Sequence, residues 1–351
     1  FFNLLLGAML CIPLAQDVIA FLCAWEVMGV ASFALVAYDF SDPAVKRAAW
    51  HYLLACQAGA MLLVFLFAAT GEEVIAGSWG LVFLFALPGF GLKIGFPPLY
   101  GWLPEAHPAA PAPVSALMSG AMLNLGFYGL LTFGCVMPEY RTVYGWALLT
   151  LGLSGGLLGI IFALGQRNLK RLLAYSSIEN MGLIAVGMGL GFLGDGIMAA
   201  LGWSGAILHL LNHAVLKGGL FLGAGAVANA LHGELDIDRM GGLMKKMPWT
   251  GTVFSLNALG LAGLPPLNGF VGEFLIYMAA FAGIAGGGGA VWIASLATVI
   301  VLALIGALAA TVYVKAIGAV FLGLPRTPAA EQAEEAPRSL RLVPALLFGL
   351  N

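Results

Sequence analysis

The sequence predicts an all-α polytopic membrane protein of about eleven transmembrane helices, arranged as two inverted five-helix repeats with one broken helix in each. Three observations carry that prediction. Of 351 residues 61% are hydrophobic and only 9% charged, where a soluble domain carries about 25% charged residues. The apolar runs reach the roughly 20 residues that a helix needs to cross hydrocarbon, and polar, Gly or Pro punctuation separates them. Two of the runs are interrupted in the same manner, by Gly and Pro around a single ionisable residue.

Taken in chain order, the runs fall near residues 1–15, 18–38, 48–69, 79–98, 111–136, 142–165, 171–193, 196–229, 249–282 and 288–322, with a truncated one from 342. The fourth contains LPGFGLKIGFPP and the ninth LAGLPPLNGFVGEF. Proline removes a backbone donor and breaks the helical ladder, so each should be a broken helix. The two breaks lie five spans apart, and an odd repeat length inverts the second copy relative to the bilayer. The division expected is therefore 1–136 for the first half, 142–322 for the second, and 323–351 for a cytoplasmic loop leading into a further helix. Phe1 lies in mid-run with no initiator Met or signal-peptide pattern before it, so the chain reads as a fragment lacking helices at both ends.

Alternation across the bilayer puts Lys46, Arg47, Arg167, Lys170, Arg171, Arg239, Lys245, Lys246, Arg326, Arg338 and Arg341 on one side and only Arg141 on the other. The basic side is the cytoplasmic one. The expected location is a bacterial or archaeal cell (inner) membrane, crossed many times.

Several functions are disfavoured by what the sequence lacks. A net charge of -2 gives no electrostatic case for nucleic acid. Cys11, Cys23, Cys56 and Cys135 stand singly in apolar runs, which indicates neither an iron–sulfur cluster nor a structural zinc. Gly189, Gly191 and Gly194 match a dinucleotide fingerprint, but they follow a hydrophobic helix rather than a strand. No Ser or Cys comes with a His and Asp set, so no hydrolase site is visible. The expectation is no catalytic centre, metal or cofactor on this chain, with any redox centre on a partner. AEQAEEAPRSLR reads as a solvated loop.

What remains is a set of ionisable residues inside the spans: Glu26, Lys93, Glu179, His209, His213, Lys217, Glu273 and Lys315. A charge deep in hydrocarbon costs roughly 2.5 to 3.5 kcal/mol on insertion scales, so such residues normally line a watery path. Glu26 lies about 12 Å into its span at 1.5 Å per residue; as a lone acid it needs a partner, and Lys93 is the candidate. Pairing and unpairing would switch the protonation of both. The plainer readings are a packing hydrogen bond for Glu26 and an interface-seeking amine for Lys93.

His209, His213 and Lys217 recur at spacing four in HLLNHAVLK. At 100° per residue they fall within about 80° of arc and climb about 12 Å, a polar stripe on one helix face. Such a stripe can carry a water wire, and histidine titrates near neutrality. A zinc pair is the weaker reading, because Leu210 stands where the metalloprotease form has Glu. Glu273 mirrors Lys93 beyond the second break, where it can exchange protons or cap the second half-helix. Glu179 and Lys315 are pathway candidates that can equally sit near an interface.

These motifs resemble a known family. AWEVMGVASF, GLKIGFPPLYGWLPEAHPAAPAPVSALMSG, QRNLKRLLAYSSIENMG, HLLNHAVLKGGLFLGAG and LAGLPPLNGFVGEF are similar to the antiporter-like proton-translocating subunits shared by three kinds of complex. These are respiratory NADH-quinone oxidoreductase, Mrp-type cation/proton antiporters, and membrane-bound energy-converting hydrogenases including formate hydrogenlyase. The resemblance covers nearly the whole chain, and it implies that further helices precede Phe1. FFNLLLGAML and VKAIGAVFLGLPR look most like the hydrogenase-type branch.

The resemblance implies a proton-translocating subunit partnered by other membrane-arm subunits and a cytoplasmic-side redox arm, moving protons, with sodium as the alternative ion. It implies a coupling pair of Glu26 and Lys93, a central axis of His209, His213 and Lys217, and an exit-side position at Glu273. In GAMLNLGFYGLL the family usually has a lysine where this chain has Asn124, which binds water but carries no proton. Two rival expectations follow: an Mrp-type exchanger without a redox partner, and a proton-inert assembly scaffold, which Asn124 favours.

Overall fold

The computed structural model describes residues 1–69, 79–136, 138–286 and 288–351, and their contacts cluster into two compact units, Phe1–Trp146 and Ala147–Asn351. Among the described residues, eight helices are long and apolar enough to cross a membrane, and there is no strand. The all-helical membrane fold read from the composition is the fold observed.

The first unit runs α1 (Phe2–Leu14), α2 (Val18–Val36), α3 (Pro43–Ala68), α4 (Trp79–Ile94), α5 (Leu103–Ala109), α6 (Ala112–Leu117), a π-helical turn (Met118–Met122) and α7 (Leu123–Val136). Short polar residues set the helix starts. The Asp17 carboxylate accepts the Ala20 N–H at 2.8 Å to begin α2, and Asp42 accepts from Ala44 at 2.7 Å with Pro43 at the first helical position of α3. The fourth span is shorter than the sequence suggests. Pro88 is carried inside α4, and the helix stops at Ile94 because Gly95 takes φ +87° and Pro97 and Pro98 follow. Its second half is α5, beyond the expected limit at 98.

α8 (Arg141–Leu164) starts in the first unit and contributes most of its length to the second. The second unit continues with α9 (Leu169–Leu193), α10 (Gly196–Ala230), α11 (Leu243–Lys246), α12 (Pro248–Leu261), α13 (Asn268–Gly286), α14 (Gly289–Phe321), α15 (Pro328–Glu331) and α16 (Arg338–Gly349). α12 and α13 are the halves of the expected broken helix, separated by Ala262–Leu267 with Gly263 at φ +65°. α10 packs against α9, α12, α13 and α16. α9 is buried almost throughout. Gly159 lets α8 approach it: a Cβ there would lie 2.6 Å from the Glu179 backbone nitrogen.

The basic connections of this unit are tied together. Arg326 donates to the carbonyls of Ile237 and Ala319, Arg239 pairs with Glu234 at 2.8 Å, and Arg167 with Asp238 at 3.3 Å. The segment read as a solvated loop is partly structured. Ala330, Ala333 and Ala336 are buried, and Glu335 caps α12 by accepting from Trp249 N–H at 2.7 Å and Thr250 Oγ1–H at 2.6 Å. A carboxylate at a helix N-terminus meets both orphan amides and the positive end of the macrodipole.

Candidate ion-translocation site

In the first unit the polar group is built on α2, α3 and α4. Lys93 is buried in the last turn of α4, and its ammonium donates to Cys56 Sγ at 3.2 Å. It also lies over the rings of Trp25 and Tyr52, at 5.6 and 5.5 Å from their centroids. Aromatic faces stabilise a desolvated cation by about 2 kcal/mol. Tyr52 in turn shares a 2.6 Å hydrogen bond with Ser32. A small cavity bounded by Trp25, Cys56, Lys93 and Trp102 has space for about one water.

Glu26 is half-buried and accepts from Gln57 Nε2 at 3.0 Å. The direct Glu26–Lys93 pair expected from the sequence is not formed. Adjacent residues of α3, Cys56 and Gln57, hold the amine and the carboxylate separately, so the structure shows the unpaired arrangement. Asn124, in the first turn of α7, donates to Gly120 O at 2.9 Å across the π turn, while its Oδ1 is buried without a partner among the described residues.

In the second unit the stripe on α10 is fully buried: His209, His213 and Lys217 expose none of their surface. α9 supplies their partners. His209 Nε2 lies 3.0 Å from Asn180 Oδ1, and the Asn180 amide donates to the Glu179 carboxylate and to Ser176 O. Lys217 Nζ donates to Ser176 Oγ and, at 3.0 Å, to Leu173 O, and it lies 5.8 Å from the Tyr313 ring centroid on α14. Both ring nitrogens of His213 are buried and take no hydrogen bond from the described residues. The Glu273 carboxylate folds back over the break, where a Cβ on Gly263 would lie 2.7 Å from its Oε2. Glu179 is within Coulombic reach of both Lys217 and Glu273.

Glu179 therefore sits inside the central group rather than at an interface. Lys315 does not. Its ammonium donates to Leu164 O at 2.8 Å and Gln166 O at 2.7 Å, which caps the C-terminus of α8. Tyr313 and Lys315 are two residues apart on α14, about 200° around the helix, so one faces Lys217 and the other turns away. The sequence reading missed Trp25, Tyr52, Cys56, Gln57, Ser176, Asn180 and Tyr313. The polar run SSIEN inside an apolar span was the available signal for Ser176 and Asn180. Aromatic and thiol contacts leave no such trace.

Residues 15–301 match the family model described as NADH:quinone oxidoreductase/Mrp antiporter, TM. The chain belongs to that family. This antiporter-like chain is 35% identical over 370 residues to hydrogenase-4 component B of Escherichia coli (strain K12), covering 100% of itself and 55% of that protein. It is 40% identical over 260 residues to formate hydrogenlyase subunit 3 of the same organism, covering 73% of itself and 43% of that protein. Among solved structures it is similar to a chain of the membrane-bound sulfane sulfur reductase, an archaeal respiratory membrane complex. The TM-score is 0.85 and the identity 27%, over 99% of this chain and 58% of that one. The antiporter-like chain thus spans about half the length of the relatives it matches, and those relatives are subunits of membrane complexes.

Proposed function

We propose that this chain is the proton-translocating membrane subunit of a multisubunit oxidoreductase of the hydrogenase or quinone-linked type. Electron transfer on a cytoplasmic-side partner arm shifts charge at one end of the membrane arm, and other membrane subunits pass that shift along. Glu26 and Lys93 respond by changing partners, and the second unit moves a proton along His209, His213 and Lys217 towards Glu273. The chain performs no redox step itself and needs no cofactor of its own.

The observation that carries this reading is the buried stripe on α10. Three ionisable side chains with no exposed surface, in the helix at the centre of the unit, are expensive in a membrane interior and have no packing advantage over leucine. Their spacing of four residues, with His209 tied to Asn180 and Lys217 to Ser176, makes a polar column.

The test uses the intact complex in sealed vesicles, driven by reduced methyl viologen, with internal acidification read from acridine-dye quenching. Lys93→Ala and Lys217→Ala should each lower proton uptake by at least about tenfold, the effect of about 1.4 kcal/mol on a barrier, while viologen oxidation continues. Unchanged proton uptake in both variants would sink the proposal.

A second reading, a cation/proton exchanger without a redox partner, uses the same residues, with carboxylates such as Glu273 meeting the cation as well as the proton. Sodium-dependent proton release without any electron donor would favour it. Asn124 keeps the assembly-scaffold reading in the test: Asn124→Lys giving uptake where the natural chain has none would support that reading.

A further inference from the structure

The first unit sets an acid, Glu26, against its buried lysine, whereas α10 carries no acid of its own beside Lys217. Lys217 is fully buried, and its ammonium rests on neutral oxygens, Ser176 Oγ and Leu173 O. Glu179 is 1% exposed, and the partner its carboxylate holds is the neutral amide of Asn180. The two groups are within Coulombic reach of each other but form no ion pair within 4.0 Å. A buried cation and anion kept apart each bear the cost of desolvation without the return of contact.

The separation is one helical turn. Ser176 and Glu179 are three residues apart on α9, on the same face and about 4.5 Å apart along the axis. A lysine side chain has four carbons of reach and staggered rotamers that allow such a step. Helices α8, α13 and α14 border the pair. α8 presents Gly159 to the Glu179 backbone, α14 presents the Tyr313 ring to the ammonium, and α13 brings Glu273 within Coulombic range. The other titratable groups facing the pair are His213 and His209 on α10, the latter joined to Glu179 through Asn180.

We propose that Glu179 is the alternating partner of Lys217: within each transport cycle the ammonium leaves Ser176 and Leu173 for the Glu179 carboxylate and hands it one proton. One N–H bond of Nζ breaks and one O–H bond forms on a carboxylate oxygen, turning an ammonium and a carboxylate into an amine and an acid with no net change in charge. The amine then returns to Ser176. Asn180 is the positioning residue, fixing Glu179 and His209 to one another so that the next transfer starts from a held geometry.

This inference rests on the proton-translocation reading, and the experiment separates the two. In the vesicle assay driven by reduced methyl viologen, Glu179→Gln should lose at least about tenfold in proton uptake with viologen oxidation retained. Glu179→Asp, which keeps an acid on a shorter stem, should recover a measurable part of it. Infrared difference spectra of the natural complex should show a protonated-carboxyl band on reduction that shifts in Glu179→Asp, a readout that packing alone would not move. Glu179→Gln pumping at the natural rate while Lys217→Ala does not would overturn the assignment of Glu179 and leave the function standing. Natural rates in both would remove the function as well. If Glu179→Gln fails to assemble, the infrared band decides: its absence, or its persistence unshifted in Glu179→Asp, overturns the proposal.

Discussion

Lys93 and Glu26 are held apart by neighbouring residues of one helix: the ammonium on Cys56 at 3.2 Å and the carboxylate on Gln57 at 3.0 Å. α3 therefore supplies the separate anchors of this acid and this base. A hydrogen bond to a charged group contributes about 1.5 to 3 kcal/mol, so removing either anchor biases the two towards pairing by about tenfold or more in equilibrium. Gln57→Leu and Cys56→Ala should each slow proton uptake in vesicles by about that factor without loss of assembly. Natural rates in both variants would reduce the two contacts to packing.

Gly159 offers a test of how Glu179 is positioned. A methyl group at 159 would press on the Glu179 backbone nitrogen at 2.6 Å and the Tyr175 carbonyl at 2.9 Å, both atoms of a helix that cannot give locally. Overpacking of this kind costs about 1 to 3 kcal/mol. Gly159→Ala should lower the unfolding midpoint in detergent and weaken proton uptake together. Gly306→Ala on α14, with nothing within 4 Å of its Cβ, is the control: a residue that loses a flexible glycine from a helix and should hold or gain stability. Equal behaviour of the two variants would mean that α8 and α9 are not in the close contact described.

The sequence made the fold legible because transmembrane helices announce themselves by length and composition, and most boundaries agree with the structure to within a few residues. α13 follows its break where Gly and Pro predicted one. α4 runs past Pro88, which is accommodated within the helix, and ends where the chain turns at Gly95, just before Pro97 and Pro98. For the site, spacing alone exposed His209, His213 and Lys217, since a period of four on an apolar helix has few other causes. It could not show which way Lys93 points, because Cys56 and Trp25 are ordinary apolar-span residues until their distances are known. Nor could it decide the role of Lys315, because only its bonds to Leu164 O and Gln166 O distinguish a helix cap from a member of the central group.

Gly263 links the break between α12 and α13 to the Glu273 carboxylate. Its φ of +65° is a conformation that an L side chain reaches only with strain, and its Cβ position is taken by Glu273 Oε2 at 2.7 Å. Gly263→Ala should cost about 1 to 3 kcal/mol for the backbone and also turn the carboxylate away from the break. The expected result is proton uptake reduced beyond what the fall in unfolding midpoint explains, measured by comparing both quantities with Gly159→Ala. A variant as destabilised as Gly159→Ala but with full uptake would show that the position of the Glu273 carboxylate is unimportant.

Lys315 serves as the internal contrast among the lysines of the spans. Its two charge-assisted bonds, to Leu164 O and Gln166 O, satisfy carbonyls at the end of α8 that no further turn of helix can reach. A cation at a helix C-terminus also meets the negative end of the macrodipole. Lys315→Met keeps the apolar stem and removes the bonds, so it should cost about 1.5 to 3 kcal/mol of stability and lower the unfolding midpoint while leaving protons moved per electron unchanged. Lys93→Ala and Lys217→Ala should do the reverse, losing transport out of proportion to stability. If Lys315→Met abolished proton uptake at an unchanged midpoint, the division between a capping lysine on α14 and working lysines on α4 and α10 would be wrong, and the route through the second unit would have to pass the end of α8.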